Sequence, residues 1–217
     1  MPQGRLVGMT TAPVAPWPHQ AIVARRLITA YPYSFLVCDE VGLGKTIETG
    51  LALRSLLLTG LAKRVLIAPP ASLARQWQNE LATKFCLRFG RAQTSPQTRH
   101  LYLHPMEGRV PAKSVFAPPG VIVSTGLVRR QDRQPELAAQ QWDIALVDEA
   151  HYARRANGTA GTGVQAKYGD LYRALDKTLR PRTRALWLAT ATPMQLDPIE
   201  VYDLFRLTRR VGPFQDD

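Results

Sequence analysis

The sequence predicts an α/β fold, a mostly parallel sheet flanked by helices. Three observations carry that prediction. Short apolar runs such as Phe35-Leu36-Val37 and Ile144-Ala145-Leu146-Val147 read as buried strands. Between such runs lie longer segments with apolar residues at helical spacing, which together imply parallel βαβ units in an open, doubly wound sheet. Two of the runs also end in polar chemistry, Gly42-Leu43-Gly44-Lys45-Thr46 and Asp148-Glu149-Ala150-His151. An open α/β sheet binds its ligand at that edge, beyond the carboxyl ends of its strands.

The elements follow in order. Residues 1–16 are rich in Pro, Gly and Thr and read as a flexible arm. From His19 to Tyr31, Ile22, Val23, Leu27 and Ile28 recur at helical spacing. Ser34 to Asp39 reads as a buried strand, and Thr46 to Thr59 as a helix that Gly60 ends. Arg64 to Ala68 is the next strand, closed by Pro69-Pro70. Ser72 is placed to cap a helix in which Leu73, Trp77, Leu81 and Phe85 form one packed row. Residues 86–118 are less regular, with a short strand over His100 to His104. Strands follow at Val121 to Ser124, Ile144 to Val147 and Ala185 to Ala189. Asn157 to Gly163 reads as a mobile loop, and helices are expected over Tyr168 to Leu179 and Ile199 to Thr208. The sequence has no internal repeat.

The composition sets outer bounds. A chain of 217 residues with 45% hydrophobic content can build one sizeable domain. Its net charge of +11, from 28 Lys+Arg against 17 Asp+Glu, favours a polyanionic partner such as nucleic acid. Charge alone does not separate that reading from a soluble basic protein. The two cysteines, Cys38 and Cys86, lack metal-ligand spacing, and Cys38 reads as a packed thiol. Met1 to Pro18 lacks the apolar core of a signal peptide. The stretch around Leu51 to Leu61 is broken by Arg54 and is too short to span a bilayer. The expected setting is the cytoplasm, with no membrane contact.

The first polar cluster is built to hold phosphate. A helix N-terminus exposes unpaired N–H groups and carries about half a positive charge. Gly42 and Gly44 let the backbone wrap around phosphate oxygens without an intruding Cβ. Leu43 lies between them in the loop. Lys45 can reach the β- and γ-phosphates, and the Thr46 hydroxyl can ligate Mg²⁺. The strict pattern G-x-x-x-x-G-K-[ST] would place a glycine at position 39, where this chain has Asp39. The second cluster is built for a metal and a water. Asp148 emerges from four apolar residues at the sheet rim, where its carboxylate can hold Mg²⁺. Glu149 can orient or deprotonate an attacking water. His151 is left with two roles, sensing the γ-phosphate or bonding across the sheet. Together the clusters predict a site for ATP and Mg²⁺.

Five segments in succession resemble the superfamily-two helicases. They are Pro18-His19-Gln20, Asp39 to Thr46, Pro69 to Trp77, Asp148 to His151 and Thr190-Ala191-Thr192-Pro193. Asp-Glu-Val-Gly-Leu-Gly-Lys-Thr-Ile-Glu and the Gln76-Trp77 neighbourhood narrow the resemblance to Swi/Snf-type ATPases. Within these, the chain is similar to the bacterial branch that includes the RNA-polymerase-associated ATPase, and to helicase-like subunits of phage-defence systems. An acidic residue at position 39 is usual in that family. The resemblance covers residues 17–210 and implies a RecA-like P-loop lobe, with 211–217 a tail or the start of a linker.

The resemblance also implies roles. Gln20 would read the adenine edge, with Trp17 or His19 near the base. Pro69, Ser72, Ser124 and Thr125 would meet nucleic acid, where ordinary helix capping is the alternative. Trp77 belongs with the core. Thr190 and Thr192, with His151, would couple the Asp148 site to the nucleic-acid groove. The Arg129-Arg130 and Arg154-Arg155 pairs read as solvated faces. The implied protein is an ATP-hydrolysing translocase on double-stranded DNA, with a polymerase or a defence-system protein as a further partner. A second RecA-like lobe with an arginine finger would be needed for full turnover, since such a finger is worth about a thousandfold in rate. An RNA helicase of the same superfamily and a nucleotide-gated adaptor remain as alternatives.

Overall fold

The computed structural model describes residues 2–38, 44–92, 100–104, 108–155, 166–191 and 198–209. Gly42, Leu43, Thr192, the 157–163 loop and the 211–217 tail lie outside the described residues.

The strands are β1 (Phe35–Cys38), β2 (Val65–Ala68), β3 (Gly90–Ala92), β4 (His100–Leu103), β5 (Arg109–Pro111), β6 (Gly120–Ile122), β7 (Trp142–Val147) and β8 (Thr183–Thr190). They form one sheet in the order β1-β8-β7-β2-β6-β3-β4-β5. Every pairing from β1 to β3 is parallel, and β4 and β5 extend the sheet antiparallel. The expected mostly parallel α/β sheet is what the chain builds. Cys38 pairs with Thr190, Val147 with Leu188, and Ala68 with Val147. That register brings the C-terminal ends of β1, β8, β7 and β2 to one rim.

The helices are α1 (Val7–Thr10), α2 (Pro18–Thr29), α3 (Lys45–Leu58), α4 (Ala74–Phe85), α5 (Thr125–Val128), α6 (Gln134–Ala138), α7 (Asp170–Ala174) and α8 (Pro198–Thr208). Two cores form, one on each face of the sheet. Ile144 and Leu146 of β7 pack with α2, α3 and α4, whereas Ala145 and Val147 pack with α5, α6, α7 and α8. The period of two along a strand sends alternate side chains to opposite faces, so the apolar run of β7 feeds both cores. Leu51, Leu53 and Leu56 of α3 are fully buried, as expected of a helix that starts directly beneath the site.

Several expectations are corrected. The arm over 1–16 is not free. Residues Pro2–Leu6 form a 3₁₀ helix that runs into α1, and both pack on α3. Gly8 is buried where a Cβ would overlap the Ser55 backbone. Arg54 clamps the arm: Nε donates to Gly8 O at 3.1 Å and Nη2 to Thr11 O at 3.3 Å. Cys38 is exposed at the end of β1, because the strand stops there and Val37 takes the last buried position. Ser72 does not cap α4. It lies exposed in a 3₁₀ turn, Ala71–Leu73, and α4 starts beyond it with no side-chain cap. The helix expected over 168–179 is α7 followed by a π-helical turn, Leu175–Leu179.

The N-terminal edge of the sheet is closed by a polar network. Arg64 donates from Nε to Gln141 O at 3.1 Å, from Nη1 to Ala117 O at 3.2 Å and from Nη2 to Phe116 O at 3.1 Å. Its guanidinium sits 4.9 Å from the centre of the Trp142 ring. The Asp143 carboxylate accepts the Lys63 and Arg64 backbone N–H groups at 2.8 and 3.0 Å. These bonds tie β2 to β7 at the end of the sheet away from the candidate site.

Candidate functional site

The first side of the candidate site begins with Gly44, which precedes α3 with φ +92°. L-residues rarely adopt that conformation, and a Cβ there would overlap Nε2 of Gln20. Both facts call for glycine. Lys45 and Thr46 form the first turn of α3, at the positive end of a helix of 14 residues. Gln20 is buried at 6% exposure. Its Oε1 accepts the Trp17 backbone N–H at 2.9 Å, so it caps α2 while its amide nitrogen lies against Gly44. Trp17 is 57% exposed, edge-on to His19 with the ring centres 5.7 Å apart.

The acidic side begins where β7 ends. Asp148 is only 7% exposed. Its backbone N–H donates to Ala68 O at 3.0 Å, continuing the sheet by one bond. Its Oδ2 accepts the Trp77 indole N–H at 2.8 Å, and its Oδ1 accepts the Glu149 backbone N–H at 2.9 Å. Among the described residues it forms no ion pair. Glu149 sits in the left-handed region at φ 50°, ψ 47°. For a non-glycine residue that costs about 1–2 kcal/mol. The bend ends the strand and leads into a 3₁₀ turn, Ala150–Tyr152. His151 Nδ1 lies 3.1 Å from Thr190 Oγ1 and 3.2 Å from Glu149 Oε2. Thr190 is fully buried at the end of β8. Of the two roles open to His151, the structure shows the bond across the sheet.

The two sides share one cavity of about 510 Å³. Gln20, Gly44, Lys45, Thr46, Asp148 and Glu149 all line it. So do Val14, Ala15, Trp17, Ile47, Leu73, Gln76, Glu80, Lys84 and Ala191. Glu80 and Lys84 went unnoticed in the sequence, although with Gln76 their i, i+4, i+8 spacing marks one polar face of α4. Gln76 Nε2 donates to Glu80 Oε1 at 2.8 Å, and Lys84 Nζ lies 3.2 Å from Glu80 Oε2. Trp77 is buried at 3%, in line with its core row, yet its N–H reaches the acidic side. A buried indole N–H needs an acceptor, and that need was the available signal.

The residues fit a divalent ion. Among the described residues the buried Asp148 carboxylate accepts from neutral donors alone, and Thr46 lines the same cavity. Among the described residues, no group of three or more His, Cys, Asp or Glu side chains could hold a metal unaided. An ion here would need oxygens from the ligand, as phosphate-bound Mg²⁺ does.

The residues expected at nucleic acid fall into two sets. Pro69 is buried, and its carbonyl accepts the Thr125 N–H at 2.8 Å. Ser124 is 3% exposed, and its Oγ accepts the Leu127 N–H at 3.1 Å, capping α5. Both serve the scaffold in this structure. Ser72 is exposed and Thr125 half-buried, so both keep surface to offer.

Arg155 departs from the solvated reading. Its Nε and Nη2 each meet the fully buried Asp203 carboxylate at 2.7 Å, and Tyr168 donates to the same carboxylate at 3.2 Å. The Asp203 bond holds the Arg155 guanidinium above its ordinary pKa. Burial, then the neighbouring Tyr168 and Asp203, pushes the stacked Tyr172 phenol well up. This cluster ties the segment after Asp148 to α8. Arg130, in turn, pairs with Asp132 at 2.8 Å.

The sheet order and the paired polar ends define a RecA-like α/β domain with a candidate phosphate site at its C-terminal rim. A family model described as the SNF2-related domain matches residues 19–216, and the chain belongs to that family. The chain is 34% identical over 199 residues to "RNA polymerase-associated protein RapA" of Klebsiella pneumoniae (strain 342). It is 33% identical over 195 residues to the protein of the same name from Pectobacterium carotovorum subsp. carotovorum (strain PC1). These matches cover 90% and 89% of the chain and 18% of each relative, so the chain spans under a fifth of their length. By structure it resembles the "Sulfolobus solfataricus SWI2/SNF2 ATPase core in complex with dsDNA", with TM-score 0.69 and 15% identity, covering 92% of this chain and 37% of that one. The same core solved as the "SWI2/SNF2 ATPase core domain" gives TM-score 0.61 at 16% identity, over 93% of this chain and 36% of that one. Among the described residues no helix is long and apolar enough to cross a membrane.

Proposed function

We propose that this chain is the ATP-binding lobe of a Swi/Snf-type ATPase that moves on, or remodels, complexes with double-stranded DNA. The observation that carries this is the shared cavity, which joins Lys45 and Thr46 at a helix N-terminus to Asp148 and Glu149 at a strand end. The glycine-only conformation at Gly44 supports a backbone that wraps phosphate.

The roles follow from chemistry and position. Lys45 binds the β- and γ-phosphates, and Gly42 and Leu43 belong to the loop around them. Thr46 and Asp148 would hold Mg²⁺, which when bound neutralises charge on the phosphate oxygens. Glu149 orients the water for in-line attack on the γ-phosphorus and takes its proton. Gln20 lines the cavity beside Trp17, and its amide would pair with adenine. Ser72 and Thr125 contact the nucleic-acid backbone. His151, Thr190 and Thr192 link that groove to the acidic side. The charge of +11 suits DNA, and the names of the relatives support DNA and RNA polymerase as partners. Among the described residues no arginine lines the cavity. An arginine from outside this lobe would stabilise the transition state, so turnover by the chain alone should be slow.

Single-turnover hydrolysis tests this reading. Glu149→Gln should bind ATP within about twofold of the wild type but hydrolyse it about 100-fold more slowly or worse. Equal hydrolysis by both would overturn the assignment.

A further inference from the structure

We propose that Trp77 is a positioning residue for the divalent metal, setting the orientation of the Asp148 carboxylate. The inference rests on the proposed role of Asp148. A carboxylate has about four lone-pair directions on two oxygens. In this site two are taken, Oδ2 by the Trp77 indole N–H at 2.8 Å and Oδ1 by the Glu149 backbone N–H at 2.9 Å. One donor on each oxygen fixes the carboxylate plane and leaves the remaining lone pairs for the cavity that Asp148 lines.

The chemistry of the two donors matters. Both are neutral. A lysine or arginine in their place would also orient the carboxylate, but its charge would compete with the ion. An indole N–H orients without neutralising. Trp77 is also packed into the core, buried at 3% in the row with Leu81 and Phe85, both fully buried on α4. The donor is therefore preorganised by the core, as a good outer partner of a metal ligand must be.

This gives Trp77 a role that core packing alone does not supply. It also joins α4 to the acidic strand end. The 3₁₀ turn before α4 carries the exposed Ser72, to which the proposed function gives a nucleic-acid contact.

The test uses Mn²⁺ as the metal, read by its electron paramagnetic resonance in the presence of ADP, with ADP affinity in EDTA measured alongside. Trp77→Phe keeps an aromatic ring and removes the donor. It should raise the Mn²⁺ concentration at half-saturation about tenfold or more and leave ADP affinity in EDTA within about twofold. A merely structural role would weaken ADP in EDTA as well. Benzothienylalanine at position 77, isosteric with Trp but lacking the N–H, gives the same reading if Trp77→Phe fails to fold. Asp148→Asn is the control. Mn²⁺ affinity that falls in Asp148→Asn but not in the position-77 variants overturns this inference alone. Mn²⁺ affinity unchanged in all of them overturns the metal role of Asp148 as well.

Discussion

The two ends of one sheet use polar residues in opposite ways. At the N-terminal edge, Arg64 spends its donors on the carbonyls of Gln141, Ala117 and Phe116, and Asp143 accepts two backbone N–H groups. That network closes on itself. At the C-terminal edge, Lys45, Thr46, Asp148 and Glu149 converge on a cavity of about 510 Å³. Among the described residues Asp148 is held there by neutral donors only. Charged residues at a strand end do not by themselves mark a site. What marks it is polar groups from separate elements that line one cavity.

The comparison can be broken at several points, the largest effect first. Asp203→Ala strands the Arg155 guanidinium beside β7's exit and should cost about 3–5 kcal/mol. Chemical denaturation would read this as a lower midpoint at unchanged slope, and a cost below about 1 kcal/mol would mean that the cluster is not a structural tie. Ser124→Ala should cost about 1 kcal/mol through the lost cap on α5. Ser72→Ala should leave stability within about 0.5 kcal/mol. DNA binding separates these two serines the other way. Ser72→Ala should weaken duplex binding, and the loss should persist across a salt series, while folded Ser124→Ala should bind as the wild type does. A reversal of that pattern would return Ser124 to the DNA surface.

Much of this was legible in the sequence. The apolar runs that became β2, β7 and β8 have two buried faces, so they stand out as continuous stretches, and the half-buried edge strand β1 is apolar enough to stand out with them. Asp148 and Glu149 follow such a run directly, Lys45 and Thr46 follow one after six intervening residues, and the structure brings all four to one cavity. Elements without an apolar run were not legible. β3 and β5 have three residues each, and β5 is exposed throughout. The arm was misread because its anchor lies far away in sequence: Arg54 holds Gly8 across 46 positions. Trp77 was half legible. Its row on α4 predicted burial, but the partner of its N–H lies 71 residues on, just past a strand that only the folded sheet brings near.

The central claim is that the C-terminal rim binds nucleotide while the N-terminal rim is scaffold. The most direct test compares the melting temperatures of Lys45→Ala and Arg64→Ala, each with and without Mg-ADP. Arg64→Ala should lose about 2 kcal/mol of hydrogen bonding and melt several degrees lower, yet keep the full rise that a saturating ligand gives, about 2.7 kcal/mol at a hundredfold excess over Kd. Lys45→Ala should melt like the wild type without ligand and show no rise with it. A full nucleotide shift in Lys45→Ala, or its loss in a folded Arg64→Ala, would contradict the account.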